Sequence, residues 1–558
     1  MSPSLPGHTR RSFVQGVAVS AVIGSLGSWP GRLLAAGVSP SELSGTEFDL
    51  EIAALPVNYT GRGSVATAVN GQVPAPVLRI REGDTVTLRV TNRLSEPSAI
   101  HWHGLLVPPD MDGVPGISFP GIAPGSTFTY RFTVHQTGTY WYHAHTLHEQ
   151  TGLYGALVVE PRVAQPVRTE RDYAVILSDW TDENPVQVYL NLKKMGSYYN
   201  YGMSTVGEVF TDLSRVGLSG ALARRDIWNR TRMSQTDYSD VSGATYTYLM
   251  NGTAPANNWT GIARAGERVR LRFIGAGTGT YFDVRIPGLK LSIVATDGQD
   301  VVPIEVDEFR ISPGETYDVI VQMPDDHAYT IFAQSMDRTG FARGTLAPRA
   351  GMQAEVPQLD SPVWLTDVDM MGAMASMSGD AGSMPGKSHH ARSEYGPGVD
   401  MRVDYPRANL NDPGVNLRGN GRRVLNYADL HTVGGSMDVR KPGREIELHL
   451  TGNMERYEWS FDGVKLSNAK PIHFRSGERL RVILANDTNM THPMHLHGMW
   501  MELESERGTF QARKHTITVQ PAQRISFAVT ADAPGRWAFH CHLLYHMAAG
   551  MFREVVVA

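Results

Sequence analysis

Residues 540 to 551 read His-Cys-His-Leu-Leu-Tyr-His-Met-Ala-Ala-Gly-Met. Cys541 is the single cysteine among 558 residues, and a histidine stands on each side of it. A thiolate, the imidazole of His546 and the thioether of Met551 are three of the four groups in a His₂Cys electron-transfer site with a weak axial Met, the blue-copper ligand set. The second imidazole has to come from elsewhere, and Thr491-His492-Pro493-Met494-His495-Leu496-His497-Gly498 offers it. On an extended strand His540 and His542 point away from the Cys541 side chain, because side chains alternate. The backbone then hands its sulfur to one metal and its two neighbouring imidazoles to another.

Elements that would position these groups recur along the chain. Arg81-Glu82-Gly83-Asp84 followed by Thr85 to Val90 is echoed from Arg264 to Phe273 and again from Arg475 to Val482. Each is a Gly turn leading into apolar/polar alternation, the pattern of a half-buried strand. The three copies diverge beyond that strand. Ile100-His101-Trp102-His103-Gly104 comes after the first and the 491–498 motif after the third, but Thr280-Tyr281-Phe282-Asp283-Val284 comes after the second. A later strand ends in His143-Ala144-His145 in the first repeat and in His540-Cys541-His542 in the third; Tyr329 to Gln334 has no histidine. The outer repeats therefore carry the ligands, and the middle one reads as a spacer. Gly83 to Gly266 is 183 residues and Gly266 to Gly477 is 211, so 28 extra residues point to an insertion, assigned to the Met/Gly/Ser-rich stretch 366–398. The reading is all-β, three Greek-key sandwiches, over 44–163, 170–350 and 400–558, with a Met-rich linker at 360–398. Little helix is expected, mostly near 204–234.

Residues 1–37 read as an export signal: Thr9-Arg10-Arg11-Ser12-Phe13-Val14 matches the twin-arginine pattern, and an apolar run from Val17 to Leu26 comes next. That predicts a periplasmic protein. Removing its three arginines takes the formal charge from −5 to −8, which gives no support for the basic face a nucleic-acid partner needs. No later stretch is apolar for long enough to span a bilayer. A lone cysteine in an oxidising compartment has no disulfide partner in the chain, which suits a ligand.

His-Trp-His-Gly, His-Ala-His, His-x-x-His-x-His and His-Cys-His-x₃-His-x₄-Met, in that order, resemble the four copper motifs of the multicopper oxidases, and ten of the 20 histidines lie in them. Trp102 to Gly116, Tyr246 to Gly252, Met454 to Gly463 and His495 to Glu504 are similar to the CopA-type bacterial copper-resistance oxidases. The resemblance implies three cupredoxin-like domains and four copper ions. Type 1 copper would take His492, Cys541, His546 and axial Met551; type 2 would take His101 and His495. The type 3 pair would take His103, His143 and His542 on one ion and His145, His497 and His540 on the other. It also implies an electron path from Cys541 through the backbone to His540 and His542, with dioxygen reduced to water. Asp112 resembles the family's acid beside the cluster; as part of Asp112-Gly113 it reads equally as a turn residue. Some relatives place a carboxylate just after the last histidine, and Leu543 to Gly550 has none.

The electron donor is read from thioethers. Met370, Met371, Met374, Met377 and Met384, with His389 and His390, are candidate accessory ligands for Cu(I), which soft sulfur suits. Asp367 and Asp369 read as solvated loop charges. The resulting expectation is a Cu(I) oxidase for copper tolerance. The alternatives are a laccase acting on phenolic small molecules through an open groove beside His546, and a copper-sequestering protein. His135, His148, His327, His431, His449, His473 and His515 match no motif and read as surface or hydrogen-bonded residues.

Overall fold

The computed structural model describes residues 40–558 apart from 164–167, 203–212, 215–216, 220–221, 223–232 and 374–386. The twin-arginine segment, Met374, Met377, Met384 and most of 204–234 lie outside the described residues. Among the described residues strands dominate, and they form six sheets, two for each repeat. This is the all-β, three-sandwich architecture the repeats predict.

The repeated motif has the same structural meaning each time. Gly83, Gly266 and Gly477 hold the turn at φ of 77°, 81° and 76°, where a side chain would be strained. The strands after these turns are Thr85–Asn92, Arg268–Gly275 and Arg479–Asn486. Each lies parallel to a preceding long strand (Glu47–Val57, Arg171–Trp180 or Arg444–Asn453) and antiparallel to a later one (Thr127–Thr133, Thr316–Gln322 or Arg524–Thr530). Val86, Leu88 and Val90 alternate inward with Thr and Arg outward, as one buried face requires.

The second sheet of each repeat carries the motif strands side by side. His101–His103 pairs with Gly138–His143, and His492–Leu496 pairs with Gly535–Cys541. Phe282–Arg285 and Tyr329–Ser335 pair in the same way in the middle repeat. That repeat is nevertheless more than a spacer. Its apolar interior runs without a break into that of the third repeat, from Val175 and Phe273 through to Trp537 and Val557. Gly314, whose Cβ would fall 2.9 Å from His542, and Asp297, which accepts the amides of His515 and Thr516, bring it against the metal motifs.

The connection between the middle and third repeats is longer than the expected insertion. Between Phe341–Ala347 and Arg444–Asn453 the described residues contain no strand. Ion pairs hold this covering chain, among them Arg422 to Glu308 at 2.7 Å and Arg418 to Asp412 at 2.6 Å. Asp369 is not a solvated charge: it is buried, completes a capping box with Thr366 on the short helix Asp367–Met371, and pairs with Arg418 at 2.7 Å. The Tyr198 to Tyr201 cluster is packing at its centre, where Tyr199 is buried and donates to Glu183 at 2.6 Å.

Candidate metal centre

Cys541 ends the strand Gly535–Cys541, opposite Met494. Its Sγ lies 3.6 Å from His492 Nδ1 and 3.8 Å from His546 Nδ1, and those two nitrogens are 3.2 Å apart. His546 is delivered by the one-and-a-half-turn helix Leu544–Ala549, which stops at Gly550 with φ 125°. The buried Met551 is the next residue; its carbonyl accepts the Cys541 amide and its amide donates to the His546 carbonyl, closing the three residues into one loop. A polar oxygen stands behind each ring. Thr488 Oγ1 lies 2.8 Å from His492 Nε2, and Asp240 Oδ2 lies 3.0 Å from His546 Nε2, so each Nδ1 is left to face the sulfur. Trp459 stacks on His546 at 3.9 Å between ring centres, and His546 has no exposed surface. Burial pushes the Cys541 thiol well above its ordinary pKa. A bound cation is what would hold this sulfur as thiolate.

The remaining motif histidines gather where the second sheets of the first and third repeats meet. His103, His143 and His542 form one group and His145, His497 and His540 another, each buried and with ligand atoms within 4.8 Å of one another. Nε2 of His540 lies 3.1 Å from Nε2 of both His145 and His497. His101 and His495 come together beside them, with His103 in the same group. Each has its Nδ1 tied to a backbone carbonyl, of Asp112 at 2.7 Å and His515 at 2.5 Å. Their Nε2 atoms are therefore the free ones.

These residues fit a cluster of metal ions. Nε2 of His101 and His495, Nδ1 of His145 and both nitrogens of His542 are buried without a hydrogen-bond partner, and leaving one such atom unpaired costs about 1–3 kcal/mol. Burial, together with the neighbouring imidazoles, holds His103, His143, His145, His492, His495, His497 and His542 well below the usual histidine pKa, and burial takes His540 down to about 4. Neutral imidazoles crowded nitrogen to nitrogen offer lone pairs, which is the form a metal needs.

The same directions predict acid sensitivity of the metal-free protein. Unfolded imidazoles take up protons near pH 6.5, whereas the folded ones do so only far lower, so the unfolded chain binds more protons as pH falls. Stability should therefore drop below pH about 6.5, by up to about 1.4 kcal/mol per pH unit for each such group. Urea unfolding of the apoprotein at successive pH values measures this. A midpoint independent of pH would show that these rings take up protons in the fold as they do in the unfolded chain.

Several contributors carry no motif in the sequence. Glu149, six residues beyond His143, is buried and its Oε2 accepts from His143 Nδ1 at 2.9 Å; burial holds its carboxyl well above the usual range. His515 is buried against His103 and supplies the carbonyl for His495. Asp240 stands in no recognisable pattern. Asp112 stands at a turn, with Gly113 at φ 81°, and its buried Oδ2 accepts from His497 Nδ1 at 2.8 Å. A narrow crevice of about 10 Å³ lined by His101, Leu105, His495, His497, Trp500 and His515 reaches this cluster.

The accessory candidates divide. Met370 is fully buried in the shared apolar core and Met371 packs against it, so both serve the core of the covering chain. His389 is exposed, and His390 is buried against carboxylates rather than thioethers.

Sequence models of multicopper oxidase domains match residues 52–164, 223–351 and 440–558. Copper resistance protein A of Pseudomonas syringae pv. tomato is 51% identical over 98% of this chain and 99% of its own. Copper resistance protein A of Escherichia coli is 52% identical over the same shares. Among solved structures, the multicopper oxidase Fet3p aligns with a TM-score of 0.64 at 19% identity, covering 92% of this chain and 90% of that one. The laccase of Botrytis aclada aligns at 0.63 and 21%, covering 93% and 88%.

Proposed function

The chain belongs to the multicopper oxidase family, and from that premise we propose that it oxidises Cu(I) to Cu(II) at the expense of dioxygen, in periplasmic copper resistance. The observation that carries the substrate is the cover on His546. Its edge is closed by Trp459 and met by the carboxylate of Asp240, with no exposed ring surface for a phenol to touch. An acid at that edge suits a cationic donor. The 51–53% relatives bear the name copper resistance protein A, which supports the same reading. Arg10 and Arg11 support twin-arginine export.

His492, Cys541 and His546, with Met551 axial, would hold a type 1 copper; His101 and His495 a type 2; and the two groups of three histidines a type 3 pair. When bound, these ions supply one-electron acceptance from the donor and four-electron delivery to dioxygen. Four Cu(I), one dioxygen and four protons then give four Cu(II) and two waters. The protein's part is placement. Cys541 is covalently flanked by His540 and His542, one from each type 3 group, so the chain itself joins the two centres. Thr488, Asp240, Asp112 and Glu149 orient rings that would otherwise rotate, the role outer partners play around metals. Dioxygen would meet the cluster at the crevice beside His101 and His495, away from the donor site.

Dioxygen uptake by the copper-loaded protein with chelated Cu(I) as sole reductant tests this. Uptake that saturates with Cu(I), at a kcat/KM above that for phenols, is expected. Tight Cu(I) binding without uptake would leave sequestration as the function, and faster phenol turnover would make the enzyme a laccase. The thioethers beyond residue 373 are tested separately. Replacing Met374, Met377 and Met384 together by Leu keeps apolar bulk and removes sulfur. The expected result is a KM for Cu(I) raised roughly tenfold, equivalent to about 1.4 kcal/mol of binding, with phenol oxidation unchanged.

A further inference from the structure

Outside the motif set, two imidazoles and two carboxylates converge in the third repeat. His390 and Glu394 lie four residues apart around the short turn Arg392–Tyr395, just after the Met-rich stretch; His449 lies on the strand Arg444–Asn453, and Asp487 comes directly after the strand Arg479–Asn486. His390 Nδ1 is 2.8 Å from Glu394 Oε2 and 3.4 Å from Asp487 Oδ2. His449 Nδ1 is 2.7 Å from Asp487 Oδ2 and 3.4 Å from Glu394 Oε2. All four side chains are 3% exposed or less.

We propose that His390, Glu394, His449 and Asp487 form a closed site for one divalent ion of the zinc class, Zn(II) or Cu(II), separate from the oxidase centres. Three observations carry it. The four ligand atoms lie within 4.8 Å of one another, and their four imidazole–carboxylate distances, 2.7 to 3.4 Å, bracket the roughly 3.3 Å that tetrahedral ligands about 2.0 Å from an ion would show. The second oxygen of each carboxylate is already fixed by a backbone amide, Ala391 to Glu394 Oε1 at 2.8 Å and Val403 to Asp487 Oδ1 at 2.9 Å, so one oxygen of each is turned inward. The far nitrogens, Nε2 of His390 and His449, are buried without a hydrogen bond. They lie 3.4 Å from Asp404 and 3.9 Å from Glu447, where further carboxylates stand behind metal-bound histidines.

The donor set identifies the ion class. Two imidazoles and two carboxylates, without sulfur, suit a borderline divalent ion and not Cu(I). Two carboxylates would also neutralise its charge. Four protein ligands with no open position make the site structural. Its role comes from the parts it joins: the chain leaving the Met-rich stretch, a core strand, and the start of the loop Asp487–Thr491. That loop carries Thr488, the hydrogen-bond partner of His492.

The test uses the copper-loaded full chain, exposed to Zn(II) or to additional Cu(II), desalted and assayed for metals by mass spectrometry. The wild type should hold one ion per chain, zinc or copper, more than Glu394→Gln or His449→Asn treated in the same way. Zinc against extra copper in the wild type distinguishes the two sources. Because either variant could misfold, X-ray absorption at the zinc edge of the wild type is the second measurement. A shell of nitrogen and oxygen only, at about 2.0 Å with imidazole scattering, supports the site. Sulfur in the shell, a six-coordinate hydrated ion, or metal content identical in wild type and folded variants would overturn it, leaving a buried ion-pair network.

Discussion

Cys541→Ser should give a colourless protein that consumes no dioxygen above buffer background with Cu(I) or with phenols. The side chain is fully buried, and serine is close to it in size, so the fold should survive. A hydroxyl left there without a good partner would cost about 1–3 kcal/mol, a loss visible in the unfolding midpoint but small against the stability of a chain of this size. What serine cannot supply is the soft, anionic sulfur that the His492 and His546 nitrogens face. The ten histidines remain, so copper content should fall by one ion per chain while the other centre still fills. That combination separates loss of a ligand from general unfolding. Turnover retained with ordinary donors would mean that electrons enter elsewhere, and the junction at His540-Cys541-His542 would lose its role.

That junction is readable from sequence because its physics is local. Residues two apart on a strand share a face, so each His-x-His pair announces its geometry without knowledge of the fold. The threefold strand motif is legible for the same reason. Contributions made through backbone are not. The His515 carbonyl that ties His495 is a group every residue has, and Gly314 and Asp297 meet the metal motifs with no signature in their type. The middle repeat therefore reads as a spacer when it is a buttress. Asp240 reaches His546 across more than three hundred residues of sequence, and nothing local marks it. Glu149 is different: an acid six residues after His143 lies within reach of inspection. Composition alone misplaces Met370. The Thr366/Asp369 capping box that precedes it marks a helical turn, and a helical turn beside a core buries its methionine. Proximity in sequence groups His390 with the thioethers, while its partners, His449 on a strand and Asp487 in the loop after another, come from far along the chain.

Asp112 should divide orientation from proton delivery. Its Oδ2 accepts from His497 Nδ1 at 2.8 Å, its Oδ1 lies 3.3 Å from His101 Nδ1, and its carbonyl takes the His101 ring proton. One residue thus holds a ring of the His145, His497 and His540 group and a ring of the His101 and His495 pair. Asp112→Ala removes the side-chain acceptor, and losses of about 10–100-fold in activity or copper affinity are the usual result for such a partner. Asp112→Asn keeps an amide oxygen for His497 and should keep the copper, yet it can neither carry charge nor pass a proton. On the proposed function the donor and dioxygen are handled at different centres, so the two kinetic constants should part company. In Asp112→Asn, kcat/KM for Cu(I) should stay near the wild-type value while kcat/KM for dioxygen falls about 10–100-fold. Equal losses in both constants would mean that Asp112 acts only by holding the two sandwiches in register. No loss in Asn with full loss in Ala would assign it to ring orientation alone, and the protons for water formation would then have to enter from the Glu149 side of the cluster.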